Sequence, residues 1–141
     1  MVGNLTGTHL VKVMLSAFRD AHRILPRARH RAELRRQALK LRYWPEKNPT
    51  DHSGQLLDID WCWIQSMKGS QVGELRIDDT IGDCDNLRII FFVGPKIEGD
   101  PMKKIWILAA MQKKSNDFSK ANITTFTARR AIVLERVYGH S

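Results

Sequence analysis

The chain has 141 residues, 43% hydrophobic and 27% charged, which suits one ordinary domain with a core of its own. Its formal charge is +8, from 23 Lys and Arg against 15 Asp and Glu. No apolar run approaches about 18 residues, so a membrane-spanning helix is excluded. Two cysteines, Cys62 and Cys84, are too few for a disulfide framework or a structural zinc site. The first residues lack the basic, apolar and small-residue order of a secretory signal, so a reduced, cytoplasmic location is expected.

The charge is unevenly spread. Residues 1–42 hold ten basic and two acidic side chains, residues 43–100 five and eleven, and residues 101–141 eight and two. Basic ends around an acidic middle favour a polyanionic partner, nucleic acid or an acidic protein; the alternative is a merely solvated basic helix.

In chain order, Thr8 is placed to cap a helix running to about residue 25. Leu10, Met14, Phe18, Ala21 and Leu25 recur along it at steps of three and four. Pro26 interrupts it, and a second, strongly basic helix is expected over about residues 28–42. Residues 44–55 are polar, with two prolines and a glycine, and read as a loop or boundary. The organisation implied is a basic helical segment, 1–45, attached to a domain over 46–141. Leu57, Ile59, Trp61 and Trp63 alternate with Asp58, Asp60 and Cys62 in the period of a strand. Further strands are expected at 73–77 (GELRI), 88–93 (RIIFFV) and 105–111 (IWILAAM), and a last helix over about 121–138. Short strands with short connectors favour an antiparallel meander, so the expected class is α+β. Trp61 and Trp63 would share one face, as core or as a base-stacking platform. Asp78, Asp79, Asp83 and Asp85 lack the glycine and terminal-glutamate placement of the twelve-residue calcium loop, so no metal site is expected.

The succession Glu74-Leu75-Arg76, Leu87-Arg88-Ile89-Ile90, Lys113-Lys114 and Ala128-Arg129-Arg130 resembles the RelE/ParE superfamily of bacterial toxins, nearest its HigB-like branch, over about residues 70–138. Leu87 stands where the family usually has an aromatic residue, and Met111 stands two positions before the Lys-Lys pair, where many members have one. The resemblance implies a small antiparallel sheet with N-terminal helices and a C-terminal helix; members often place one strand before a helical hairpin. It implies a type II toxin acting as a ribosome-dependent mRNA endoribonuclease (an mRNA interferase), without cofactor or metal. Its partners would be the ribosome, mRNA and a helix-turn-helix antitoxin that masks the basic face.

In that reaction a 2′-hydroxyl attacks the adjacent phosphate. The site must move protons and stabilise a doubly charged phosphorane, a task suited to clustered Arg and Lys. By the resemblance Arg88, Lys113 and Lys114 are catalytic, Tyr138 is the acid–base candidate, and Arg76, Arg129 and Arg130 bind RNA. His140 and His52 are weaker acid–base candidates. The alternative for Arg88 is an exposed strand residue, or a salt bridge to Asp83 or Asp85. Two other functions stay open: a ParE-like inhibitor of DNA gyrase, and a non-enzymatic basic module that binds nucleic acid.

Overall fold

The computed structural model describes residues 8–51 and 53–139. In chain order the elements are β1 (His9–Val13), α1 (Leu15–Ile24), α2 (Ala28–Ala38), β2 (Trp61–Trp63), β3 (Val72–Ile77), β4 (Leu87–Val93), β5 (Lys103–Gln112) and α3 (Lys120–Tyr138). The five strands form one sheet in the order β1-β5-β4-β3-β2, with helices on both faces. The class is α+β, as expected.

The first departure from the sequence reading is at the start. Residues 9–13, expected in a helix capped by Thr8, are a strand lying parallel to β5, with His9 opposite Lys103 and Val13 opposite Ile107. His9, Val11 and Val13 turn inward while Leu10 and Lys12 are exposed, and the β-branched valines favour this extended backbone. Leu10 and Phe18 satisfied a helical spacing, yet they remain 41% and 47% exposed. The Thr8 hydroxyl instead pairs with the His9 ring and donates to the Trp44 carbonyl. The second expected helix is shorter too: α2 stops at Ala38 and tightens into a 3₁₀ turn over Leu39–Tyr43.

The second departure concerns the sheet and the domain boundary. β2 to β5 form the antiparallel meander read from the sequence, but β1 makes the whole sheet mixed. A parallel partner must be reached by a crossover, and the α1–α2 hairpin is part of it. Ala17, Leu25, Leu34 and Leu41 pack with Ile89, Phe91, Ile105 and Ile107 in one continuous cluster. Residues 9–43 are therefore one edge and one layer of the domain, where the charge pattern had suggested an attached segment. Cutting before residue 43 would expose that cluster to water. On the other face α3 lays Phe126 and Val133 over Ile90, Phe92 and Leu108. Ser119 caps α3 by accepting the Asn122 N–H, and Gly139 closes it in the left-handed region, at φ 70°.

Of the alternating stretch 57–63, only Trp61–Trp63 pairs as a strand. Trp61 and Trp63 do share a face, the one covered by α1 and α2, with ring centres 5.0 Å apart and Trp44 against both. Opposite Trp63, Gly73 leaves room for the Phe91 ring. A Cβ there would fall 2.6 Å from Phe91 Cζ and 3.1 Å from the Cys62 carbonyl. Neither the buried ring nor the strand backbone has space to yield. Gly73→Ala should cost about 1–3 kcal/mol, read as a lowered midpoint in thermal unfolding; an unchanged midpoint would contradict this packing.

Two details of β5 position the chemistry. Ile90 pairs with Ala109 but Phe91 pairs with Ile107, so Leu108 is an extra residue in the ladder. Ile105 and Ile107 face α1 and α2, Leu108 and Ala109 both face α3, and Ala110 returns to the first face. The alternation beyond the bulge is thus shifted by one residue. The other detail is the β5 edge past the end of β1, where Ala110 N–H and the Leu108 carbonyl lack a strand partner. Asp20 from α1 accepts the Ala110 N–H at 3.2 Å, and Arg129 from α3 donates to the Leu108 carbonyl at 2.9 Å. Arg129 and Asp20 then join at 2.6 Å, linking the helices of opposite faces around the sheet edge.

Candidate functional site

At one end of the sheet, on the α3 face, β3 ends, β4 begins and β5 ends. In the antiparallel ladder Arg76 lies opposite Arg88, and Arg88 opposite Met111. Lys113 follows Met111 by two residues and so returns to the same face, a consequence of the Leu108 bulge. Asn86, at φ 52°, makes the tight entry into β4, a left-handed conformation that asparagine tolerates. Its carbonyl accepts the Lys113 N–H at 2.9 Å, which extends the ladder past the end of β5.

Beneath these cations is a carboxylate that sequence reasoning had noted only as part of a motif. Glu74 is buried, its side chain 5% exposed. Its Oε1 lies 3.4 Å from Nε of both Arg76 and Arg88, and its Oε2 lies 3.7 Å from Lys113 Nζ. The signal for it was available: Glu74 and Arg76 are two residues apart in a strand and must share a face. The pairing reaches across three strands, which no local pattern shows. Arg88 also donates to its neighbouring Leu87 carbonyl, and Lys113 lies 4.3 Å from the Phe118 ring centre. Arg88 thus pairs with Glu74, and the expected alternatives Asp83 and Asp85 are not its partners; Asp85 accepts from Gln112 at 3.0 Å.

Arg76, Arg88, Lys113 and Lys114 line an open pocket of about 290 Å³, with Asn86, Ser115 and Asn116 completing it. The four cations have one carboxylate in direct contact, with Asp60 and Asp78 close enough to act on Arg76 and Arg88, so the lining itself is strongly positive. Glu74 pushes the Arg76 pKa up, which keeps that guanidinium firmly charged. Cys62, opposite Glu74 on β2, has its thiol pKa raised, first by burial and then by the Glu74 charge. Its Sγ is 4.0 Å from Arg76, whereas Cys84 bonds the Ile24 carbonyl.

The structure separates the remaining predicted site residues from this pocket. Tyr138 belongs to the opposite end of β5: its hydroxyl accepts from Trp106 at 3.2 Å, in the space Gly94 leaves open. It is no acid–base group for the cation cluster. Arg129 is committed to Asp20 and the Leu108 carbonyl, as described. Arg130 donates to the Ser70 carbonyl at 2.7 Å and lies over the Phe92 ring. Both arginines are held by the fold beneath α3, away from Arg76. His52 and His140 lie outside the described residues. No group of metal-ligating side chains occurs among the described residues, and none of their helices is long and apolar enough to cross a membrane.

In comparisons with known proteins, no family, curated protein or solved structure matches the chain.

Proposed function

We propose that the chain is the toxin of a type II toxin–antitoxin pair, a ribosome-dependent mRNA endoribonuclease of the RelE/HigB kind acting in the cytoplasm. The observation that carries this reading is the convergence of Arg76, Arg88, Lys113 and Lys114 on one pocket with a single buried carboxylate below them. A preorganised cluster of this kind suits the charge that develops on a pentavalent phosphorane. The planar forks of Arg76 and Arg88 match pairs of phosphate oxygens, and the lysines act as point charges. The strand β1 ahead of the α1–α2 hairpin also agrees with the arrangement the resemblance implies. A helix-turn-helix antitoxin that masks the basic surface is the expected partner.

One observation favours a second reading. No histidine or tyrosine lines the pocket among the described residues, so the pocket offers charge stabilisation without an evident proton carrier. That composition suits a non-enzymatic module that grips a nucleic-acid phosphate. Brief induction in a bacterial host, followed by growth measurement and primer extension on abundant transcripts, separates the two. Under the first reading, wild type arrests growth and leaves new transcript ends. Neither Lys114→Ala, which loses no contact to Glu74, nor the Arg88→Ala, Lys113→Ala, Lys114→Ala triple variant does either. The triple variant is checked for folding by circular dichroism, because it leaves buried Glu74 with Arg76 alone. RNA binding without new transcript ends would favour the second reading. Unchanged toxicity of the triple variant would remove the pocket from either.

A further inference from the structure

The sheet face opposite the cation pocket holds a second concavity. Between α1 and α2 runs a groove of about 310 Å³, walled by Ala17, Ala21, Ala28 and Ala32 and reaching Ile89 and Ile107 of the sheet. Five alanines of the two helices, Ala38 being the fifth, leave a slot where larger side chains would have sealed the core. Its lining includes Phe18, 47% exposed; Leu15, one turn earlier on α1 and 63% exposed, lies outside the lining. Two large apolar side chains at i and i+3 on one helix face form a patch, which isolated exposed residues do not.

The rim is cationic. Arg31, Arg35 and His22 line the groove, Arg31 also donating to the Leu25 and Pro26 carbonyls at 2.9 and 2.7 Å, while Arg19, Arg27 and Arg29 are exposed elsewhere on the same hairpin. Both acidic residues of the two helices are already engaged, Asp20 with Arg129 and Arg23, and Glu33 with Arg36. Arg19, Arg27, Arg29 and Arg35 have no ion pair among the described residues. The groove therefore has an apolar floor and a rim on which Arg31 and Arg35 carry positive charge with no carboxylate partner among the described residues.

We propose that this groove is the docking site for an acidic amphipathic segment of a partner protein. The floor selects apolar side chains of a size the alanines leave room for, and the rim selects carboxylates flanking them. A nucleic acid would satisfy the rim and leave the floor wet; a second copy of this basic surface would satisfy the floor and bring like charges together. The site is independent of the cation pocket, because α1 and α2 cover the other face of the sheet. A segment seated here leaves Arg88 and Lys113 uncovered.

The test uses the full chain and a fluorescein-labelled synthetic helix of about 18 residues, with leucines on one face and glutamates elsewhere. A scrambled peptide of the same composition and a version with lysine for glutamate are the controls. Anisotropy at low salt should show saturable one-to-one binding of the Leu/Glu helix, with both controls at least about tenfold weaker. Ala32→Trp, which fills the groove, and Arg35→Glu, which reverses part of the rim, should each weaken binding about tenfold. Circular dichroism and a thermal melt would confirm that both variants fold. Phe18→Ser, at an exposed position, is a second probe of the lip with little effect on the core. Equal binding of the scrambled or lysine peptide, no binding of the Leu/Glu helix, or full affinity in folded Ala32→Trp would overturn the proposal. So would displacement of the peptide by a short RNA, or a concentration-dependent dimer that blocks it in sedimentation.

Discussion

Asp20→Ala should destabilise the domain by about 3–5 kcal/mol, the cost of leaving one member of a buried ion pair alone. The Asp20 side chain is 7% exposed and Arg129 18%, so water replaces the lost partner poorly. Four bonds to Asp20 disappear together: the Ala110 N–H at 3.2 Å, the Arg129 fork at 2.6 and 3.3 Å, and Arg23 at 2.5 Å. The Ala110 donor is then left without an acceptor, and the Arg129 guanidinium keeps the Leu108 carbonyl but loses its counter-charge. Arg129→Ala should cost a similar amount. The double variant should lose clearly less than the sum of the singles, because the second substitution removes a charge that the first has already orphaned. Urea unfolding of the four proteins measures this. Strictly additive losses, or a single-variant loss below about 1 kcal/mol, would show that the clasp is an ordinary surface pair.

The second large effect concerns Glu74. Its carboxylate is the negative charge shared by Arg76, Arg88 and Lys113. Glu74→Gln keeps the size of the side chain and removes the charge, so the cations repel one another across the antiparallel ladder. The expected loss is about 2 kcal/mol at low salt, below that for Asp20 because the Arg76 side chain is 46% exposed and can turn to water. Inorganic phosphate should restore much of this loss, since an anion that binds the folded state stabilises it by mass action. The gain in melting temperature from phosphate should be larger in Glu74→Gln than in wild type. Sodium chloride at equal ionic strength separates general screening from a bound anion. If phosphate stabilises both proteins equally, the cations are not held together by Glu74.

These two carboxylates show why fold and site were unequally legible. β3, β4, β5 and α3 could be read within a residue or two, because an apolar run bounded by turn residues is a local property. β1 could not. His9–Val13 satisfies both a two-residue and a three-to-four-residue spacing over a short stretch, and pairing with β5, ninety residues away, decides between them. The same holds for the basic helices: their arginines implied a solvated attachment, while Leu25, Leu34 and Leu41, few in number, are buried in the main core. Charge counts describe the outside of a helix and say little about its inner stripe.

The sequence by itself determined the α+β class, the antiparallel run of β2 to β5 and the closing helix, while the candidate cations Arg76, Arg88, Lys113 and Lys114 came from the family resemblance. It did so because composition, alternation and turn chemistry act over a few neighbouring residues. Only the tertiary structure decided which of these cations meet. Strict alternation along β5 would place Lys113 on the face of Ile105 and Ile107; the extra residue at Leu108 moves it to the face of Arg88. The fold likewise assigned Glu74 to the cations, Arg129 to Asp20 and Tyr138 to Trp106. Those pairings join residues up to 109 positions apart, and their geometry depends on strand register and helix placement, which no single segment encodes.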